Sequence, residues 1–127
     1  MNTQPETFQV MQQRFLSGLE SRVQQLTTPA RKLCDGYDPD IINEMMRGFQ
    51  TLAAAGSTHG FSTITDISHI GELTCKSLVV DATAQDLLEL SGIVDALAFA
   101  ACGAQVHFGI LPAYDRRAVA GASSRPA

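Results

Sequence analysis

The chain has 127 residues, the length of one domain, and 45% of them are apolar, with 6% aromatic and no Trp. Its core is therefore expected to be built from Leu, Ile, Val, Met, Ala and Phe. A net charge of −4 and a pI near 5.2 argue against a nucleic-acid surface, which would show clustered Lys and Arg.

The opening MNTQPETFQV lacks the basic-then-apolar order of a signal peptide. The first amphipathic stripe is Phe8, Met11, Phe15, Leu19, Val23 and Leu26, at helical steps of three and four. TTPARKLC then interrupts. Thr28 can cap and Pro29 can open a short extra helical turn, and DGYDPD reads as a loop. Asp38 and Pro39 repeat the cap-then-proline logic and start the second helix. Its core side carries Ile42, Met45, Met46, Phe49, Leu52, Ala53 and Gly56, and Gly60 is its stop. A third helix starts near Phe61, capped by Ser62 or Thr63, with apolar positions Ile64, Ile67, Ile70, Leu73 and Leu78. Gly71 inside it costs about 1 kcal/mol of propensity. VVDATAQD is a short connection in which Thr83 and Asp86 form the next start. The fourth helix runs through Leu87, Leu90, Ile93, Val94, Leu97 and Ala101 to a stop at Gly103. Leu88 and Phe99 make it apolar on more than one side, so it is expected to be central or covered by the tail. Val106, Phe108 and Ile110 alternate and suggest a short extended segment.

The expected architecture is all-α: an antiparallel four-helix bundle with an extra short N-terminal helical turn and an extended or disordered C-terminal tail. One domain over residues 1–112 and a flexible tail over 113–127 follow from this reading. The longest apolar run, ALAFAAC at residues 96–102, falls short of the ~18 residues of a membrane span. Cys34, Cys75 and Cys102 form no CxxC pair. They are read as free thiols in a reducing cytoplasm, behaving as buried small hydrophobes.

Motifs for chemistry are few. His59, His69 and His107 share no metal-ligand spacing, so no metal or other cofactor is expected. AAAGSTHG lacks the Lys-Ser/Thr ending of a phosphate loop. No local pattern pairs a Cys with a His, and the carboxylates are scattered, so no enzymatic activity is expected.

The order of elements does carry a resemblance. FLSGLESRVQQL, a Pro-containing break, PDIINEMMRGFQTLAAAGSTHGF and STITDISHIGELTCKSLV follow one another. Over roughly residues 8–100 the chain resembles the histidine phosphotransfer (HPt) family, which includes the N-terminal domain of chemotaxis histidine kinases. The family's second-helix motif is approximately His-x-Leu-Lys-Gly-Ser/Ala before a Gly-Phe or Gly-Leu break. Laid on this chain it starts at Gln50. Leu52 and Gly60-Phe61 match, Ala55 is suitably small, and Glu72 falls where the family has an acidic residue. Gln50 replaces the phospho-accepting His, Ala53 the usual Lys and Ala54 the usual Gly.

The resemblance thus implies a scaffold without its reaction. An amide nitrogen has its lone pair delocalised and is not a useful nucleophile. Without a Lys at position 53 the expected neutralisation of phosphoryl charge is missing too. His59 is about half a turn out of phase with Gln50. His69, one turn from Glu72, is the alternative acceptor. What remains is a face of small and polar residues, and Asn43, Arg47, Gln50, Ala53, Ala54 and Ser57 are the candidate partner-binding set. Arg47 is the best polar anchor of that set. The function implied is a non-phosphorylatable cytoplasmic adaptor. It would bind a response-regulator receiver domain or a histidine kinase, with no nucleic acid and no membrane insertion. The alternatives are phosphotransfer through His69, and a structural or oligomerisation bundle.

Overall fold

The computed structural model describes residues 7–109, and these are all-helical. The α-helices are α1 (Phe8–Ser17), α2 (Leu19–Lys32), α3 (Pro39–Thr58), α4 (Ser62–Val80) and α5 (Ala84–His107), with a 3-10 turn at Leu33–Asp35 after α2. The expected tail over 113–127, and Ile110 before it, lie outside the described residues.

Two starts follow their sequence signals. The Asp38 carboxylate accepts the Asp40 amide at 2.9 Å ahead of Pro39, and the Thr83 hydroxyl accepts the Asp86 amide at 3.1 Å. The end of α3 is also as expected. Gly60 has φ +80°, a left-handed conformation that turns the chain into α4 at little steric cost.

Other boundaries differ. TTPARKLC does not interrupt the chain, because α2 continues through Thr28 and a buried Pro29 to Lys32. Proline forfeits one ladder hydrogen bond, but here only about one turn follows it, and burial of its ring offsets part of the loss. The break comes earlier, at Gly18 between α1 and α2. Phe15, Leu19, Val23 and Leu26 are buried, whereas Phe8 and Met11 stay exposed. Neither Ser62 nor Thr63 caps α4. Phe61 holds the cap position without a side-chain bond, and its ring packs on Phe15 at 5.6 Å and Phe108 at 5.5 Å.

The stripe of α4 is the largest correction within a helix. The buried residues are Ile64, Ser68, Gly71, Cys75 and Leu78, while Ile70 and Leu73 face outward. The steps of four and three are helical, but they run through small residues that a search for large apolar side chains passes over. α5 also runs past Gly103 to His107, so residues 106–107 are helical and Phe108 caps the end. The cost of one exposed Gly, about 1 kcal/mol, is offset by the Ala and Gln that follow and by the contacts of Gln105 and Phe108.

α3 packs against α4, α4 against α5, α5 against α2 and α2 against α3, with α1 leaning on α2 and α5. The core between them contains Leu16, Leu19, Ile42, Met45, Phe49, Leu78 and Leu97. α3 and α4 run antiparallel, as their contacts show: Gly56 lies by Ile64, Ala53 by Thr65, and Phe49 by Gly71. At Gly71 a Cβ would lie 2.5 to 2.6 Å from the Phe49 ring, so the missing side chain is what lets the two helices approach.

Candidate functional site

Asn43, Arg47, Gln50, Ala54 and Ser57 are all exposed along α3. Ala53 is not part of that surface. It is 2% exposed and belongs to the core side, and its carbonyl accepts the Thr65 hydroxyl of α4 at 3.1 Å. A Cβ at that azimuth points toward α4, so the candidate face is narrower than the sequence suggests. Arg47 sits on the other flank, where it lines a hollow of about 420 Å³ with Arg22 and Gln25 of α2.

Gln50 is engaged, not free. Its side-chain nitrogen donates to Glu72 Oε2 at 2.8 Å, bridging α3 and α4 across the antiparallel pair. The same Glu72 oxygen lies 3.4 Å from Lys76 Nζ, one turn along α4. Glu72 is the best shielded of the group, its side chain 15% exposed. The hydrogen bond from Gln50 is the largest cause holding its carboxyl below the usual glutamate range; desolvation, next in size, opposes it, and the charge of Lys76 adds to the lowering. His69 is exposed, with Nδ1 3.9 Å from Glu72 Oε1, beyond hydrogen-bonding distance.

Position 53 supplies no cation on α3; the cation near Gln50 is Lys76, one turn from Glu72 on α4. The Glu72–Lys76 spacing of four residues was the sequence signal for it. Leu73, which the apolar spacing of α4 assigns to the core, lies instead at the surface. It is 63% exposed and lies on α4 beside Glu72.

The two other histidines stand apart from Gln50. His59 closes the end of α3, with Nδ1 2.7 Å from the Ala55 carbonyl and its ring stacked on Phe15 at 4.8 Å. Its own carbonyl accepts Gln12 at 2.8 Å, so it ties α1 to α3. His107 lies in the last turn of α5, against the Phe108 ring. Among the described residues no group of three or more His, Cys, Asp or Glu is placed to hold a metal.

The thiols also separate. Cys75 is buried, and burial, reinforced by the Glu72 charge, pushes its thiol up to about 12. Cys34 and Cys102 are exposed, so only one of the three behaves as the buried hydrophobe expected.

Chemically, the cluster offers an amide, a carboxylate and an ammonium that largely satisfy one another. Over the described residues the fold is all-helical, with a polar bridge of Gln50, Glu72 and Lys76 between α3 and α4. No known protein family, characterised protein or solved structure matches the chain.

Proposed function

We propose that the chain is a docking module built as an antiparallel four-helix bundle of the histidine phosphotransfer type. It binds a receiver domain or a histidine kinase and accepts no phosphoryl group. One observation carries the reading: at the position aligned with the family's acceptor, Gln50 reaches across to Glu72 instead of presenting a nucleophile. The remaining amide N–H and carbonyl of Gln50 can still meet a partner, and Ala54 and Ser57 beyond it let a partner backbone come close. Leu73 offers an apolar contact at the edge of the same surface.

Titration calorimetry against receiver domains and kinase dimerisation domains from the same cell tests this. Binding weakened at least tenfold by Leu73→Glu or Arg47→Glu, with helicity unchanged, supports it. No binding to any of these domains sinks it. A phosphotransfer assay distinguishes the alternative reading, in which His69 next to Glu72 carries the phosphoryl group. Acid-labile label that disappears in His69→Gln would establish that alternative and overturn the adaptor.

A further inference from the structure

α5 is apolar on every side yet is covered on only one. An 18-residue window within Ala84–His107 has mean hydropathy 1.6 and is only 22% buried, so by length and composition this helix could cross a membrane. The short run at residues 96–102 is thus part of a longer apolar helix. A helix apolar all round normally has neighbours all round. Here Phe99 is 83% exposed and Leu88 73%. On the adjoining side of α4, Ile70 is exposed at the edge of an apolar hollow of about 330 Å³, which Gly92, Ile93 and Ala96 complete. Contiguous apolar surface of this kind marks a contact site.

We infer that this α4–α5 face pairs with a second copy of the chain, α5 lying antiparallel to the partner's α5. Three observations favour a second copy over other occupants. The first is shape. Leu88, Gly92, Ala96, Phe99 and Gly103 recur at steps of three and four and are all exposed, with open space above both glycines. In an antiparallel two-fold pairing, Phe99 falls on the partner's Ala96, and Gly92 meets the partner's Gly103. A large residue enters the space over a small one, twice by symmetry.

The second is charge. The same register brings Glu89 near the partner's His107, twice, on one flank, while on the other flank the two Asp95 positions stay about 7.5 Å apart along the axis at 1.5 Å per residue. The third is area. α5 is about 36 Å long and α4 about 28 Å at 1.5 Å per residue. Side by side they are about 18 Å wide. Covering that face on both copies removes on the order of 1,000 Å² in total, which reaches the lower bound of a specific interface.

The pairing does not use the α3 surface, which packs on α2 and α4; the two readings meet only at the outer edge of α4, where exposed Ile70 and Leu73 are one turn apart.

Sedimentation and light scattering of the full chain provide the test. The expected mass is twice that of the 13.6 kDa chain at micromolar concentration. Phe99→Lys is expected to halve it with unchanged helical circular dichroism, since the site is exposed. Direction is read by disulfide capture with Cys34 and Cys102 replaced by Ser. A mixture of Gly92→Cys and Gly103→Cys chains should cross-link to each other, and neither variant to itself. A monomeric wild type overturns the proposal. So does a dimer that survives Phe99→Lys, or cross-linking within one variant alone. A chain that dimerises only after removal of residues 110–127 identifies the tail as the occupant instead. A monomer that floats with lipid vesicles identifies a membrane.

Discussion

Glu72 is the residue on which the candidate surface turns, because one of its oxygens takes both Gln50 and Lys76. Its folded carboxyl is held below the ordinary value, and the Gln50 hydrogen bond is the largest cause. The bond therefore adds stability that is present above the unfolded glutamate range and is lost as pH falls through the folded one. Replacing Gln50 with Leu should return the Glu72 titration toward its ordinary position. It should also flatten the acid limb of the stability curve, and carbon-detected NMR of the carboxyl reads the shift directly. An unchanged Glu72 titration would show that the bond is not held in solution. The thiols give a second residue-scale expectation. At neutral pH a thiol reagent should modify Cys34 and Cys102 quickly. Cys75, raised to about 12 and buried, should react only on unfolding.

At the scale of elements, the α3–α4 pair is the tightest part of the fold, and it depends on Gly71. Substituting Ala gains about 1 kcal/mol of helix propensity. The added Cβ, however, would lie 2.5 to 2.6 Å from Phe49, which is fully buried and cannot move aside freely. Overpacking of this kind costs about 1–3 kcal/mol and should win. Gly71→Ala is expected to lower the unfolding free energy by a net of up to ~2 kcal/mol, read as a lower chemical denaturation midpoint. A stabilised variant would mean that the helices can separate at no cost.

Capping chemistry located three boundaries correctly and misled at two, Thr28-Pro29 inside α2 and Ser62 or Thr63 at the start of α4. Asp38-Pro39, Thr83 with Asp86, and Gly60 all act locally, and local chemistry is what a sequence displays. The α4 stripe was misread because burial there passes through Ser68, Gly71 and Cys75. Only the nearby Phe49 ring makes a missing side chain the right choice. Pro29 was misread for a related reason. Its cost depends on how much helix follows it and on what covers its ring, and both are tertiary facts. Helical spacing alone displays the shared exposed side of Asn43, Arg47, Gln50, Ala54 and Ser57, and by the same spacing Ala53 belongs to the core side, where it is buried. The Gln50–Glu72 bridge joins residues 22 positions apart and could not be seen without the packing of α3 on α4.

At the scale of the whole molecule, the two functional proposals centre on different sides and meet only at the outer edge of α4. The Gln50 surface lies on α3 and α4, and the apolar face lies on α5 with that edge of α4. Were both correct, one assembly would present two docking surfaces facing away from a shared seam. A partner carrying two receiver domains would then bind more tightly than one carrying a single domain. The gain would depend on linker length, since the second contact is intramolecular.

The bond from Gln105 Nε2 to the Leu16 carbonyl, 2.7 Å long and buried, joins positions 89 residues apart. It closes the longest loop among the described hydrogen bonds, whereas the α3–α4 contacts at Gly56–Ile64, Ala53–Thr65 and Gln50–Glu72 lie within 22 residues. Loop-closure entropy makes such a contact late to form. The seam between α1 and α5 should therefore close after the α3–α4 hairpin and open before it. Gln105→Leu takes from the Leu16 carbonyl its side-chain donor and leaves it only a share of the Gly18 cap amide, at a cost of about 1 kcal/mol. Nearly all of that loss should appear as faster unfolding, with the refolding rate unchanged. Native-state hydrogen exchange should show the same order. Amides of α1 should exchange through a partial opening, while those around Phe49 wait for the chain to unfold globally.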